Sequence, residues 1–214
     1  MTLSLERTPP SEALCRTRVV AVLRADSPEH LLPAARTLVE QGLVCLELTM
    51  TTPGALDSLR LLRAELGASA DLGVGSVRGA EAARQALDAG AAFLVSPVFD
   101  PAVLAECVAA RVPAYPAGLT PTELVTAWDA GASAVKLFPA GTVGPAHLQA
   151  VREPLPELAV MPTGGIGIDD VGAWLRAGAL AVGLGGSLSG DALRGGDLGA
   201  LADRAARALA GARG

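Results

Sequence analysis

Short apolar runs alternate with helix-patterned segments along the whole chain. The runs cover residues 19–25, 45–50, 72–76, 93–97, 113–118, 134–140, 159–165 and 181–187. They start at intervals of about 20 to 27 residues, enough for one strand, one helix and two short connections. Each run is nearly continuous in hydrophobicity, as a parallel strand covered on both faces must be. The segments between them carry helix signals. Thr120-Pro121-Thr122-Glu123 opens one, and Asp169 and Asp170 put negative charge near the start of another,. Gln41-Gly42, Ala89-Gly90, Ala130-Gly131 and Ala177-Gly178 stand just ahead of the next run, a repeated C-terminal stop,. Eight βα units in one chain predict an α/β fold, a (β/α)8 TIM barrel. A doubly wound open sheet is the alternative, but no GxGxxG follows the first run,. The expectation is a single domain over residues 1–214, with a short helix at 10–18 across the barrel's bottom and a last helix from about 197 to 212.

The 214 residues are half hydrophobic and 18% charged, which suits a packed core,. Aromatics are only 3%, so Ala, Val and Leu must fill most of it. Net charge is −5 with no basic run, which argues against a nucleic-acid partner,. Cys15, Cys45 and Cys107 are odd in number and lack CxxC spacing, so they read as reduced thiols of a cytosolic protein,. His30 and His147 read as surface residues of helical segments, and no metal site is expected. Residues 1–7 carry no apolar signal core, and no apolar run reaches membrane-spanning length, so no membrane partner is expected,.

Of 17 basic residues, one is lysine: Lys136, in Ala134-Val135-Lys136-Leu137-Phe138-Pro139. An arginine-rich chain has set its single lysine inside an apolar strand. Arginine keeps its proton, whereas a desolvated lysine can lose it and act as a nucleophilic amine, most naturally toward a carbonyl carbon. The structural alternative is a lysine whose stem packs while its head reaches water. Period two places Glu47, Thr49 and Thr51 on one face of the second run,. That polar face must point into the barrel, toward the C-terminal rim where barrel enzymes work. Lys136 and Arg24 are the polar members of the sixth and first runs. Lys136 therefore reads as nucleophile and Glu47 as proton shuttle, its acidity weakened by burial. A structural Glu47–Lys136 ion pair is the competing reading.

The last two runs end in Pro162-Thr163-Gly164-Gly165-Ile166 and Gly183-Leu184-Gly185-Gly186-Ser187. Barrels often bind phosphate at these two turns through backbone N–H groups, and glycine lets the anion come close. Two ordinary tight turns are the plainer possibility.

Leu46-Glu47-Leu48-Thr49, Gly73-Val74-Gly75-Ser76-Val77, Val95-Ser96-Pro97, Lys136-Leu137-Phe138-Pro139-Ala140 and the two glycine-rich turns occur in this order. Together they resemble the 2-keto-3-deoxy-6-phosphogluconate (KDPG) aldolases and 4-hydroxy-2-oxoglutarate (KHG) aldolases, over about residues 15–210. The resemblance implies a class I aldolase without metal or other cofactor, usually a cytosolic homotrimer. It would act on a phosphorylated keto sugar acid and yield pyruvate and glyceraldehyde 3-phosphate. Lys136 then matches the Schiff-base lysine and Glu47 the general acid/base. Ser76 and Thr163 match contacts to the pyruvyl group, and Pro97 lies in a substrate-binding motif. Gly164, Gly165, Gly186 and Ser187 match the phosphate end. Many members carry arginine where this chain has Thr51, and those without it often have arginine at the end of the first strand, where Arg24 stands. The resemblance thus implies that Arg24 holds the substrate carboxylate. Ser76 replaces a common threonine, and Ala117-Gly118 departs from a usual Pro-Gly-Val. The Arg24 pattern also occurs in 2-dehydro-3-deoxy-6-phosphogalactonate aldolases, so the galactonate epimer and 4-hydroxy-2-oxoglutarate stay open as substrates. A phosphate-binding barrel isomerase, with Glu47 as base and Lys136 as electrostatic stabiliser, is a second class. A non-catalytic phosphometabolite-binding barrel is a third.

Overall fold

A computed structural model describes residues 7–214. Residues 1–6, which hold most of the stretch read for a signal core, lie outside the described residues. Among the described residues there are nine short strands: β1 (Val19–Leu23), β2 (Cys45–Thr49), β3 (Asp71–Gly75), β4 (Leu94–Val95), β5 (Ala114–Tyr115), β6 (Ala117–Gly118), β7 (Val135–Leu137), β8 (Val160–Pro162) and β9 (Val182–Leu184). All pair in parallel, in the orders β5-β4-β3-β2-β1-β9 and β6-β7-β8. Two joints close the ring. A bridge between Thr163 and Gly183 links the ends of β8 and β9, and β5 runs into β6 through Pro116. The fifth apolar run is thus two segments rather than one strand. Proline has no N–H to donate to the ladder, so the run changes partner there, pairing with β4 before Pro116 and β7 after it. The Pro116 carbonyl still accepts from the Lys136 N–H at 2.8 Å. The barrel expected from sequence is what forms.

The helices cover the outside: α2 (Leu31–Glu40), α3 (Ala55–Leu66), α4 (Ala80–Asp88), α5 (Pro101–Ala110), α6 (Pro121–Asp129), α7 (Pro145–Arg152), α8 (Val171–Arg176) and α10 (Leu198–Arg213). A single-turn helix, α9 (Gly186–Ser189), follows β9. Local chemistry sets their ends. In α6 the Thr120 hydroxyl accepts from the Glu123 N–H while the Glu123 carboxylate accepts from the Thr120 N–H, a reciprocal cap,. The four glycines at the predicted helix stops have φ of 87°, 90°, 107° and 98° at Gly42, Gly90, Gly131 and Gly178. Side-chain-bearing residues resist that left-handed backbone, so the chain reverses toward the next strand there.

Apolar burial is divided in two. Outward-facing strand residues such as Leu46, Leu48, Val135 and Val160 pack against Leu38, Leu59, Leu124 and Leu148 of the helices. Inside the barrel, Val20, Cys45, Phe93, Val95, Tyr115, Ala134, Met161 and Ala181 form a separate core. Leu14 of α1 (Glu12–Thr17), the short helix expected near residue 10, plugs this core from below. Ser11 accepts from the Leu14 N–H and donates to Asp71, tying the plug to β3. Phe93 and Tyr115, among the chain's few aromatics, stack with ring centroids 5.6 Å apart. The Phe93 ring lies where a β-carbon on Gly73 would be. With the lower barrel filled by apolar groups, the polar strand residues collect at the C-terminal rim.

Candidate active site

The strands' C-terminal ends surround a cavity of about 680 Å³, large enough for a small metabolite. Glu47 from β2 and Lys136 from β7 sit at its inner wall, with side chains pointing inward by the same alternation that sends Leu46, Leu48, Val135 and Leu137 outward,. Glu47 is 1% and Lys136 6% exposed. Glu47 reaches inward because β3 has no side chain at Gly75: a β-carbon there would collide with the Glu47 carboxylate.

Glu47 and Lys136 do not form the ion pair that a purely structural role would call for; among the described residues neither belongs to one. One Glu47 oxygen, Oε2, is buried without a hydrogen-bond partner among the described residues. Burial pushes the Glu47 carboxyl above its usual range, and the positive charges of Lys136 and then Arg24 pull it partly back,. The weakened acidity expected of Glu47 is therefore present. Lys136 Nζ lies 5.1 Å from the centroid of the Phe138 ring, whose face favours a cation.

Arg24 follows β1, is exposed and lines the cavity. It does not pair with Asp26 or any other carboxylate among the described residues. Ser76, Pro97 and Thr163 line the same space. Ser76 has φ of 61°, an uncommon backbone for a non-glycine residue and one met at ligand sites,. Thr163 is 5% exposed and packs against Gly183, where a β-carbon would meet its hydroxyl.

The glycine-rich turns after β8 and β9 line the same cavity through Gly164, Gly165, Gly186 and Ser187. Gly164 and Gly165 have φ of 89° and 75°. The Ser187 hydroxyl donates to the Ile166 carbonyl at 2.7 Å and so fastens the two turns together.

Thr51 is the exception among the expected site residues. β2 ends at Thr49, and the chain turns before Thr51. Thr51 is exposed, its hydroxyl is 3.1 Å from that of Thr49, and it is not part of the cavity wall. Period two holds only while the strand continues. Thr49 itself is buried among the Thr51 and Thr52 hydroxyls. The sequence reading also missed Val22, Phe138 and Arg194, which line the cavity. Val22 and Phe138 carry a signal, since each is two residues from an expected site residue. Arg194 carries none.

The arrangement offers a buried amine and a carboxyl held above its usual range, a guanidinium beside them, and glycine-rich turns in the same wall. The KDPG and KHG aldolase family matches residues 11–202. The 2-dehydro-3-deoxy-phosphogluconate aldolase of Treponema pallidum (strain Nichols) is 38% identical over 165 residues, 77% of this chain and 78% of that one. A probable 2-dehydro-3-deoxy-6-phosphogalactonate aldolase of Rhizobium meliloti is 30% identical over 181 residues, 84% of this chain and 85% of that one. Among solved structures, the 4-hydroxy-2-oxoglutarate/2-dehydro-3-deoxyphosphogluconate aldolase from TTHB1 is 38% identical with a TM-score of 0.83, covering 93% of this chain and 96% of that one. The KDPG aldolase of Legionella pneumophila, with pyruvate captured as a covalent carbinolamine intermediate, is 25% identical with a TM-score of 0.84, covering 91% and 95%. With the same barrel and a match along nearly all its length, this chain is an aldolase and belongs to the KDPG and KHG aldolase family.

Proposed function

We propose that the protein reversibly cleaves 2-keto-3-deoxy-6-phosphogluconate to pyruvate and glyceraldehyde 3-phosphate through an imine on Lys136. The observation that carries this reading is the chain's single lysine, buried in the cavity wall beside a buried carboxyl without an ion pair between them. Lys136, as the free amine, adds to the C2 ketone. Protonated Glu47 gives its proton to the carbinolamine hydroxyl, which leaves as water. The resulting iminium draws electrons from the C3–C4 bond as the C4 hydroxyl returns a proton to Glu47, directly or through a water. Glyceraldehyde 3-phosphate departs, the enamine takes a proton at C3, and hydrolysis frees pyruvate and the amine. A carboxyl held above its usual range suits both directions of this shuttle,.

Arg24 holds the C1 carboxylate, with Ser76 and Thr163 offering hydroxyls to the pyruvyl group and Pro97 walling the site. Arg24 is close enough to Glu47 to act on its charge, which favours this end of the cavity. The phosphate lies at Gly164, Gly165, Gly186 and Ser187. The galactonate epimer is a second reading, favoured by the exposed Thr51 with Arg24 in the wall and by the galactonate-series relative. We further infer a cytosolic homotrimer; exposed Val98 and Phe138, 50% and 37% accessible next to the cavity residues Pro97 and Lys136, give it apolar surface to cover. Steady-state rates on the two epimeric phosphosugar acids test the substrate assignment. A kcat/KM at least about tenfold higher for the gluconate epimer is expected, a gap of about 1.4 kcal/mol; a preference for the galactonate epimer would replace it with the second reading.

A further inference from the structure

The phosphate end of the cavity contains one formal charge that no motif announces. Among the cavity-lining residues Arg24, Glu47, Lys136 and Arg194 are ionisable. The first three belong to the β1, β2 and β7 side. Arg194 belongs to the α9 side, where its guanidinium donates to the carbonyl of Gly190 at 3.4 Å, just past that helix.

Its backbone is fixed, and its head is held only by that one long hydrogen bond. The 3-10 turn Ala192–Arg194 is anchored by Ala192 and Leu193, 2% and 3% exposed, while Arg194 itself is exposed. Two acids stand close in sequence, and both face elsewhere. The Asp191 carboxylate lies where a β-carbon on Gly196 would be. Asp197 accepts from the Ala200 N–H and caps α10. No ion pair involves Arg194 among the described residues. The neighbouring hydroxyl is also engaged, since Ser187 donates its proton to the Ile166 carbonyl.

A phosphate monoester carries about −1.5 to −2 charges at neutral pH. Neutral backbone donors alone leave most of that charge unmatched, whereas a guanidinium fork meets two phosphate oxygens at once. We propose that Arg194 is the specificity residue for the phosphorylated substrate, closing over its phosphate from the cavity rim. This rests on the reading that the substrate is a phosphorylated keto sugar acid. The shorter, unphosphorylated 4-hydroxy-2-oxoglutarate gains nothing from Arg194, so this residue sets the preference between the family's two substrate types.

The test uses the full chain with Arg194→Ala and Arg194→Lys. Four quantities are compared: cleavage of the phosphorylated acid, cleavage of its unphosphorylated analogue, inhibition by inorganic phosphate, and the rate of borohydride trapping with pyruvate. Arg194→Ala should raise KM for the phosphorylated acid roughly ten- to hundredfold with kcat little changed. It should weaken phosphate inhibition in parallel and leave the analogue and the trapping rate within about twofold. Arg194→Lys should recover part of the loss, as a point charge without the fork. If wild type prefers the phosphorylated acid and Arg194→Ala keeps both that KM and phosphate inhibition, the turns hold the phosphate alone and the proposal is wrong. Equal losses on both substrates and in trapping would mark a structural role and also overturn it. A wild type with no preference for the phosphorylated acid would instead sink the substrate reading itself.

Discussion

Glu47 is 1% exposed, and its Oε2 has no hydrogen-bond partner among the described residues, so the carboxyl is available to the substrate's protons. Its value lies in transition states. Glu47→Gln should lower kcat by roughly a hundred- to ten-thousandfold with a much smaller change in KM, since glutamine fills the space but cannot shuttle a proton; a kcat within a fewfold of wild type would assign the protons to another group. The same substitution has a stability signature. The folded carboxyl holds its proton more tightly than the unfolded one. Its contribution to stability is therefore complete below the ordinary glutamate value and lost as pH rises through the higher folded value. The melting temperature of Glu47→Gln relative to wild type should then increase with pH over that window; a constant difference would contradict a raised Glu47. Arg24 belongs to the same scale. Without a carboxylate partner among the described residues, its guanidinium is available to a substrate carboxylate. Arg24→Ala should raise the pyruvate KM roughly ten- to hundredfold, and adding Thr51→Arg should restore part of it. Thr51 is outside the wall, but an arginine there has the length to reach in from the rim. An unchanged pyruvate KM in Arg24→Ala would place the carboxylate elsewhere.

At the scale of elements, the site depends on what β3 leaves out. Glu47 of β2 pairs across with Gly73, and its carboxylate leans over Gly75. Gly75→Ala should push that carboxylate aside and reduce kcat by roughly a hundredfold, with pyruvate still bound; full activity would show that Glu47 has another place to go. The sequence shows both partners, but their collision depends on the β2–β3 register, which one sequence does not display. Helix stops and caps are different. Gly42, Gly90, Gly131, Gly178 and the Thr120–Glu123 pair act within a few residues, so their chemistry can be read directly. Lys136 is legible for the same reason, as a lone charge in an apolar strand. The split at Pro116 was readable in principle from the missing N–H, though the change of partners it produces is a property of the closed ring. Thr51 shows where periodicity stops helping: an alternating pattern does not say where the strand ends. Arg194 had no local signal, because only tertiary folding brings its turn to the cavity rim.

For the whole molecule, a negative net charge coexists with a pocket lined by arginines. The chain carries a net charge of −5, whereas its cavity wall holds the two guanidinium groups of Arg24 and Arg194. Such a field favours entry of an anionic substrate and weakens with salt. The barrel makes this possible by dividing its interior, with a mainly apolar core from Leu14 to Met161 below and the cavity's ionisable groups above it. No helix among the described residues is long and apolar enough to cross a membrane. The chemistry proposed for this rim is imine formation at one amine. With a single lysine in the chain, the measurement is direct: incubate the protein with pyruvate and borohydride, follow activity, and map the adduct by peptide mass spectrometry. Progressive inactivation with a reduced pyruvyl group on Lys136 is expected, and no such adduct in an inactive Lys136→Arg variant. An adduct confined to the N-terminal amine, or a Lys136→Arg variant with full activity, would contradict it.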